Sequence, residues 1–207
     1  MKFTTEQEAF WAGEFGNAYM ERNQGEALLA SNLNFYSRAL RQAPGLENCI
    51  EFGANVGMNL RALKLLRPGI DQHAIEINAN AAGKLREFLQ PQNVYNVSIL
   101  EHDVKRTFDL VLIRGVLIHI NPEALATVYE KLHSSTGKYL LICEYYNTTP
   151  VAIEYRGHKD RLFKRDFCGE MLDRYPDLEL VDYGFDYHRD PTFLHDDCTW
   201  FLIRKKG

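Results

Sequence analysis

Several short stretches of this chain carry residue types whose spacing suits chemistry rather than packing alone. EFGANVG, residues 51–57, places Glu51, Phe52, Gly53, Ala54, Asn55 and Gly57 at the end of an apolar run. Glycines there let the backbone turn tightly and let a ligand approach closely. A helix following such a turn offers unpaired N–H groups at its start. Asn55 tolerates left-handed dihedrals better than other non-glycine residues, so it can hold a glycine-like position. AIEIN then brings Glu76 and Ile77 to the end of a second run. A carboxylate there can accept hydrogen bonds from both hydroxyls of a ribose, a device that nicotinamide enzymes share. Such enzymes prefer G-x-G-x-x-G in the first loop, and this loop does not fit that spacing. LEHDV puts Asp103 and Val104 after a third run.

FDLVLIRGVLIHINP closes a fourth run with Arg114 and Gly115, and His119 follows one turn later. A histidine can take a proton from a hydroxyl near neutral pH. The alternative is a core histidine satisfied by a backbone partner. CEYYNTTP and VAIEYRGHKDRLFKRDF follow a fifth run and are dense in hydrogen-bonding groups. Tyr145, Tyr146, Asn147, Tyr155, Arg156, His158 and Lys164 are the candidates there to bind a second substrate. The cations suit a carboxylate or phosphate. Tyrosine rings favour burial and their hydroxyls want partners, which weighs against an ordinary solvated loop. At the other end, FWAGEFGNAYMERN (10–23) sets Tyr19 and Arg22 three residues apart, on one helical face.

The elements that must position these residues alternate. Residues 5–43 read as helical, ending near Pro44-Gly45. Strands are predicted over 48–53, 72–78, 95–100, 108–115 and 138–146, with helices over 58–66, 79–89 and 122–135 between or after them. Residues 145–165 read as an irregular acceptor loop, 164–176 as a helix, and 178–187 and 198–206 as two last strands joined without a helix. Strands linked by crossover helices run parallel, whereas the last pair can form an antiparallel hairpin. The expectation is an α/β, doubly wound sheet of seven strands, mostly parallel with a reversed last strand. Its ligand belongs beyond the carboxyl ends of the strands.

The 207 residues suit one domain, with 1–45 a helical cap and 46–207 the core. A net charge of −4 argues against a general nucleic-acid partner. No run of 18 apolar residues suggests a membrane span, and the start lacks a signal-peptide pattern. The four cysteines, far apart, read as thiols of a reducing, cytoplasmic setting, and no metal-ligand spacing recurs. Oligomeric state is not written in the sequence.

The loop acid-x-Gly-x-Asn-x-Gly resembles the acid-x-Gly-x-Gly-x-Gly loop of S-adenosylmethionine-dependent methyltransferases. FWAGEFGNAYMERN, EFGANVGMNL, GVLIHINP and EYYNTTPVAIEYRGHKDRLFKRDFCGE together resemble the small methyltransferases associated with pseudaminic acid biosynthesis, over residues 7–203. The resemblance implies a class I, Rossmann-like methyltransferase using S-adenosyl-L-methionine on a hydroxyl or amine of a sugar or nucleotide-sugar. It implies that Asp103 reaches the adenine amino group and that the Val104 N–H reads a ring nitrogen. Arg114 and Gly115 would lie along the cofactor, and His119 would face the acceptor. The segment before the first strand would fold over the site, with Arg22 on the methionyl carboxylate and Tyr19 as its cover. Open alternatives are a methyltransferase for another small metabolite, a nicotinamide oxidoreductase, and a binding module that keeps the cofactor without chemistry.

Overall fold

The computed structural model describes residues 3–103 and 105–206. The helical segment expected over residues 5–43 consists of three helices, α1 (Glu6–Ala12), α2 (Glu14–Arg22) and α3 (Glu26–Ala39). The breaks have local causes. Thr5 and Glu8 form a capping box that starts α1. Gly16 lets α2 abut the end of α1, since a Cβ there would sit 1.9 Å from the Trp11 carbonyl oxygen. Gly25, at φ 115°, turns the chain into α3.

The core then alternates: β1 (Asn48–Phe52), α4 (Met58–Leu66), β2 (Asp71–Ile75), α5 (Ala79–Leu85), β3 (Val94–Tyr95), β4 (Phe108–Arg114), α6 (Leu125–Ser135) and β5 (Thr136–Glu144). Next come β6 (Val151–Tyr155), β7 (His158–Lys164), α7 (Phe167–Arg174), β8 (Leu178–Asp186) and β9 (Cys198–Lys205). The main sheet has seven strands in the order β3-β2-β1-β4-β5-β9-β8. β9 alone runs antiparallel to its neighbours, between β5 and β8. The expected sheet, with its reversed last strand, is present.

Both faces of this sheet are buried, so its strands are apolar at consecutive positions rather than alternating ones. Cys49, Leu110, Leu112, Leu141 and Cys143 pack toward α3, α4 and α5. Ile50, Val111, Ile113, Leu140 and Ile142 pack toward α6 and α7. The four cysteines are free and buried.

Two expectations fail. β3 stops at Tyr95 rather than reaching residue 100. The Asn96 side chain donates to the carbonyls of Glu76 (2.8 Å) and Ile77 (3.2 Å), and Ser98 Oγ accepts the Leu100 N–H (3.1 Å). Side chains thus take over from the ladder and turn the strand out. The acceptor loop is not irregular either: β6 and β7 form an antiparallel hairpin, turned by Arg156 (φ 49°) and Gly157 (φ 81°).

Candidate functional site

The strand order changes direction between β1 and β4, and that crevice opens at the strands' carboxyl ends. A cavity of about 610 Å³ lies there, reached by Gly53 after β1, Glu76 after β2, Ser98 beyond β3, Gly115 after β4 and Tyr145 after β5.

The glycine turn is folded onto β2. Gly53 and Ala54 both donate their N–H to the Ile75 carbonyl, at 2.9 and 3.0 Å. Gly53 sits at φ 78°, and a Cβ there would lie 2.6 Å from Val116 Cγ2. Asn55, at φ 48°, donates its N–H to Glu76 Oε2 (2.7 Å), while the Asn78 N–H reaches Glu76 Oε1 (2.7 Å). The buried Glu76 carboxylate is therefore fixed by two backbone donors. Each oxygen keeps a lone pair for a ligand hydroxyl. Burial raises its pKa, and the two N–H groups work against that rise.

Arg114 organises the polar end of the cavity. Its guanidinium donates to Asn32 Oδ1 (2.8 Å), Asn59 Oδ1 (3.3 Å) and His195 Nδ1 (2.9 Å), and lies 4.3 Å from the Phe35 ring centre. His195 in turn donates from Nε2 to the Ser31 carbonyl (3.0 Å), which settles its tautomer. Burial and the adjacent Arg114 both lower the His195 pKa. Glu51 stands behind this wall. Its Oε1 accepts from Asn59 Nδ2 (2.6 Å), and burial pushes its pKa up to about 8. It acts on the cavity through Asn59 rather than by lining it.

His119 is buried beside the opening, between the rings of Trp11 (4.6 Å) and Tyr155 (4.9 Å). Its Nδ1 is 2.6 Å from the Arg161 carbonyl oxygen of β7. A carbonyl can only accept, so Nδ1 carries the hydrogen and the Nε2 lone pair is left free. Burial lowers its pKa to about 4, so the ring is neutral at ordinary pH. From α2, Tyr19 and Arg22 line the same cavity, and burial raises the Tyr19 pKa to about 12. The N-terminal helices are tied down at both ends. Asn78 Nδ2 donates to Asn17 Oδ1 (2.9 Å), and Gln7 Nε2 donates to the Asp160 carbonyl of the hairpin (3.0 Å).

No family model matches this chain, and no curated protein matches it by sequence. Solved structures do. A 1,6-didemethyltoxoflavin-N1-methyltransferase of Burkholderia thailandensis, with 1,6-didemethyltoxoflavin and S-adenosylhomocysteine bound, superposes with a TM-score of 0.74. It is 16% identical over 100% of this chain and 92% of its own. The chain has the class I methyltransferase fold. A magnesium protoporphyrin IX methyltransferase of Synechocystis PCC 6803, with S-adenosylmethionine bound, gives a TM-score of 0.69 at 12% identity over 100% of both chains. The N-methyltransferase NodS of Bradyrhizobium japonicum WM9, with S-adenosylhomocysteine, gives 0.65 at 13%, over 92% of this chain and 98% of its own.

The class I fold brings most of the sequence-predicted residues to one place. Tyr19, Arg22, Gly53, Ala54, Asn55, Glu76, Ile77, Arg114, Gly115, His119, Tyr145, Tyr155 and Arg156 all line the cavity. Phe52 does not; it is wholly buried in the core beneath. Gly57 serves packing, since a Cβ there would meet Phe88 Cζ at 2.4 Å. Asp103 is a correction: its side chain is 78% exposed and pairs with Lys105 Nζ at 3.6 Å, outside the cavity. Val104 lies outside the described residues. Four acceptor candidates are corrected as well. Tyr146 leans toward Phe201, and Asn147 donates to the Thr149 carbonyl (2.6 Å) in a turn. His158 packs edge-on against Phe10, and the Lys164 ammonium sits 5.2 Å from the centre of the Tyr145 ring without lining the cavity.

Sequence reasoning missed Glu8, Asn32, Asn59, Ser98 and the trio Leu194, His195 and Asp196, all of which line the cavity. The trio sits in a polar connection that becomes a wall only because Arg114 grips His195. Burial and the neighbouring Asp196 carboxylate raise the pKa of Tyr145.

Proposed function

We propose that this chain is an S-adenosylmethionine-dependent methyltransferase acting on a hydroxyl, or an amine, of a sugar-type small molecule of the nonulosonic acid or nucleotide-sugar kind. The observation that carries the cofactor assignment is the Glu76 carboxylate, pinned inside the cavity by the N–H of Asn55 in the glycine turn and the N–H of Asn78. Two neighbours of the same fold that bind S-adenosylhomocysteine, and one that binds S-adenosylmethionine, support it. When bound, this cofactor supplies an electrophilic methyl group on a sulfonium.

Glu76 accepts the ribose hydroxyls, and Arg22 pairs with the methionyl carboxylate. The rings of Trp11, Tyr19 and Tyr155 exclude water from the reacting groups. The cofactor would give its methyl to an acceptor oxygen or nitrogen, the former carbon–sulfur electron pair remaining on sulfur. The acceptor proton passes to the free Nε2 of His119. A base of pKa about 4 gives modest proton affinity. The reaction relies chiefly on alignment, which the flanking rings and the Arg161 carbonyl impose on the imidazole. Arg156, Tyr145 and Tyr155 face the acceptor and suit an oxygen-rich, anionic one. That chemistry, with the sequence blocks resembling the pseudaminic acid-associated methylases, supports the sugar class.

The test is incubation with labelled S-adenosylmethionine and a panel of nonulosonic acids, their activated nucleotide forms and related amino sugars. Label appears in one of these. Transfer only to another class of metabolite discards the sugar assignment and keeps the enzyme class.

A further inference from the structure

We infer that Glu8, on the lid helix α1, and not Asp103, receives the exocyclic amine of the cofactor's adenine; this rests on the reading above that the cavity holds S-adenosylmethionine. The cavity is graded along the sheet. At the β4 side Arg114, Asn32 and Asn59 make it polar, which suits an amino-acid moiety. Glu76 stands in the middle, after β2. Beyond β3, Ile99 and Leu100 line it with Ile77, which suits a flat purine ring. That apolar end needs an acceptor for the two hydrogens of the adenine amine.

Glu8 lines the same cavity, is only 7% exposed, and lies beside Ser98 at that end. Its two oxygens are unequal. Oε2 takes the N–H and hydroxyl of Thr4 (2.9 and 2.7 Å) and of Thr5 (2.8 and 3.0 Å). Oε1 is closed off from solvent and has no hydrogen-bond partner among the described residues. Burial works to raise the Glu8 pKa, but the neighbouring Ser98 hydroxyl and the bonds from Thr4 and Thr5 hold it below the usual carboxylate range. The group is thus an ionised carboxylate with one oxygen unmatched, a costly state that an N–H donor relieves. Asp103, by contrast, has its carboxylate in solvent beside Lys105.

The test compares S-adenosylhomocysteine with its analogue bearing hydrogen in place of the adenine amine, by titration calorimetry on the full chain. Wild type favours the amine-bearing ligand by about tenfold or more. Glu8→Gln keeps the cap, because its amide oxygen still accepts from Thr4 and Thr5, but turns an NH₂ toward the amine. Its preference falls to about onefold, with an unchanged circular-dichroism melt. Asp103→Asn retains the wild-type preference. The inference is overturned if Glu8→Gln keeps the preference, if it weakens both ligands equally as a loosened lid does, or if Asp103→Asn abolishes the preference. Absence of any binding of S-adenosylhomocysteine to wild type overturns the cofactor reading as well.

Discussion

Replacing His119 with asparagine tests the electrostatics of the site without needing the acceptor. The asparagine amide can still donate to the Arg161 carbonyl in place of Nδ1, but it does not titrate. In the wild type, burial lowers the His119 pKa from 6.5 to about 4. Between those values the unfolded chain holds a proton that the folded chain lacks. The stability tied to this group is therefore complete above pH 6.5 and is lost as pH falls toward 4. A displacement of that size corresponds to about 3 kcal/mol, at about 1.36 kcal/mol for each pH unit. Other groups titrate in the same range. His195 moves in the same direction as His119. The raised pKa values of Glu51 and Glu144, about 8 and about 7, favour the folded state as pH falls. Subtracting the urea-unfolding curve of His119→Asn from that of wild type cancels these contributions. The difference should shrink by about 3 kcal/mol between about pH 7 and about pH 4. A difference that stays flat across that interval refutes a neutral, buried His119.

Three further substitutions probe the walls of the cavity. Arg22→Ala should weaken S-adenosylhomocysteine binding about tenfold in calorimetry, with stability changed by less than about 0.5 kcal/mol, because Arg22 lines the cavity but is exposed and makes no ion pair among the described residues. Gly53→Ala must hold φ 78° and drives its Cβ to 2.6 Å from Val116 Cγ2. It should cost about 1–2 kcal/mol in thermal unfolding and abolish detectable cofactor binding. Arg114→Met leaves Asn32, Asn59 and His195 without their donor and should cost about 3 kcal/mol in urea unfolding.

Much of the fold was legible because burial on both faces leaves a simple trace: short apolar runs ending in Gly53, Glu76 or Gly115. Residues fixed by backbone geometry at those ends were legible for the same reason. Glu76 sits where its strand stops, and Gly53 where only a positive φ closes the turn. Asp103 was misplaced because β3 ends early, at side-chain bonds from Asn96 that no periodicity announces. The hairpin had only the Arg156-Gly157 pair as a signal, which fits a two-residue turn, since neither VAIEY nor HKDRLFK alternates apolar with polar residues. Glu8 was legible as a capping-box residue after Thr5, but not as a cavity group. That second role depends on α1 folding across the sheet, as does the wall built by His195, 81 residues from its Arg114 partner.

The central claim is that one S-adenosylmethionine sits across the carboxyl ends of β2, β1 and β4. A crystal structure of the chain grown with saturating S-adenosylhomocysteine tests it most directly. The account predicts density in this cavity, with the ribose hydroxyls on Glu76 and the base at the Ile99–Leu100 end. A cavity without ligand at full saturation, or a ligand bound with Glu76 facing away from its ribose, would contradict it.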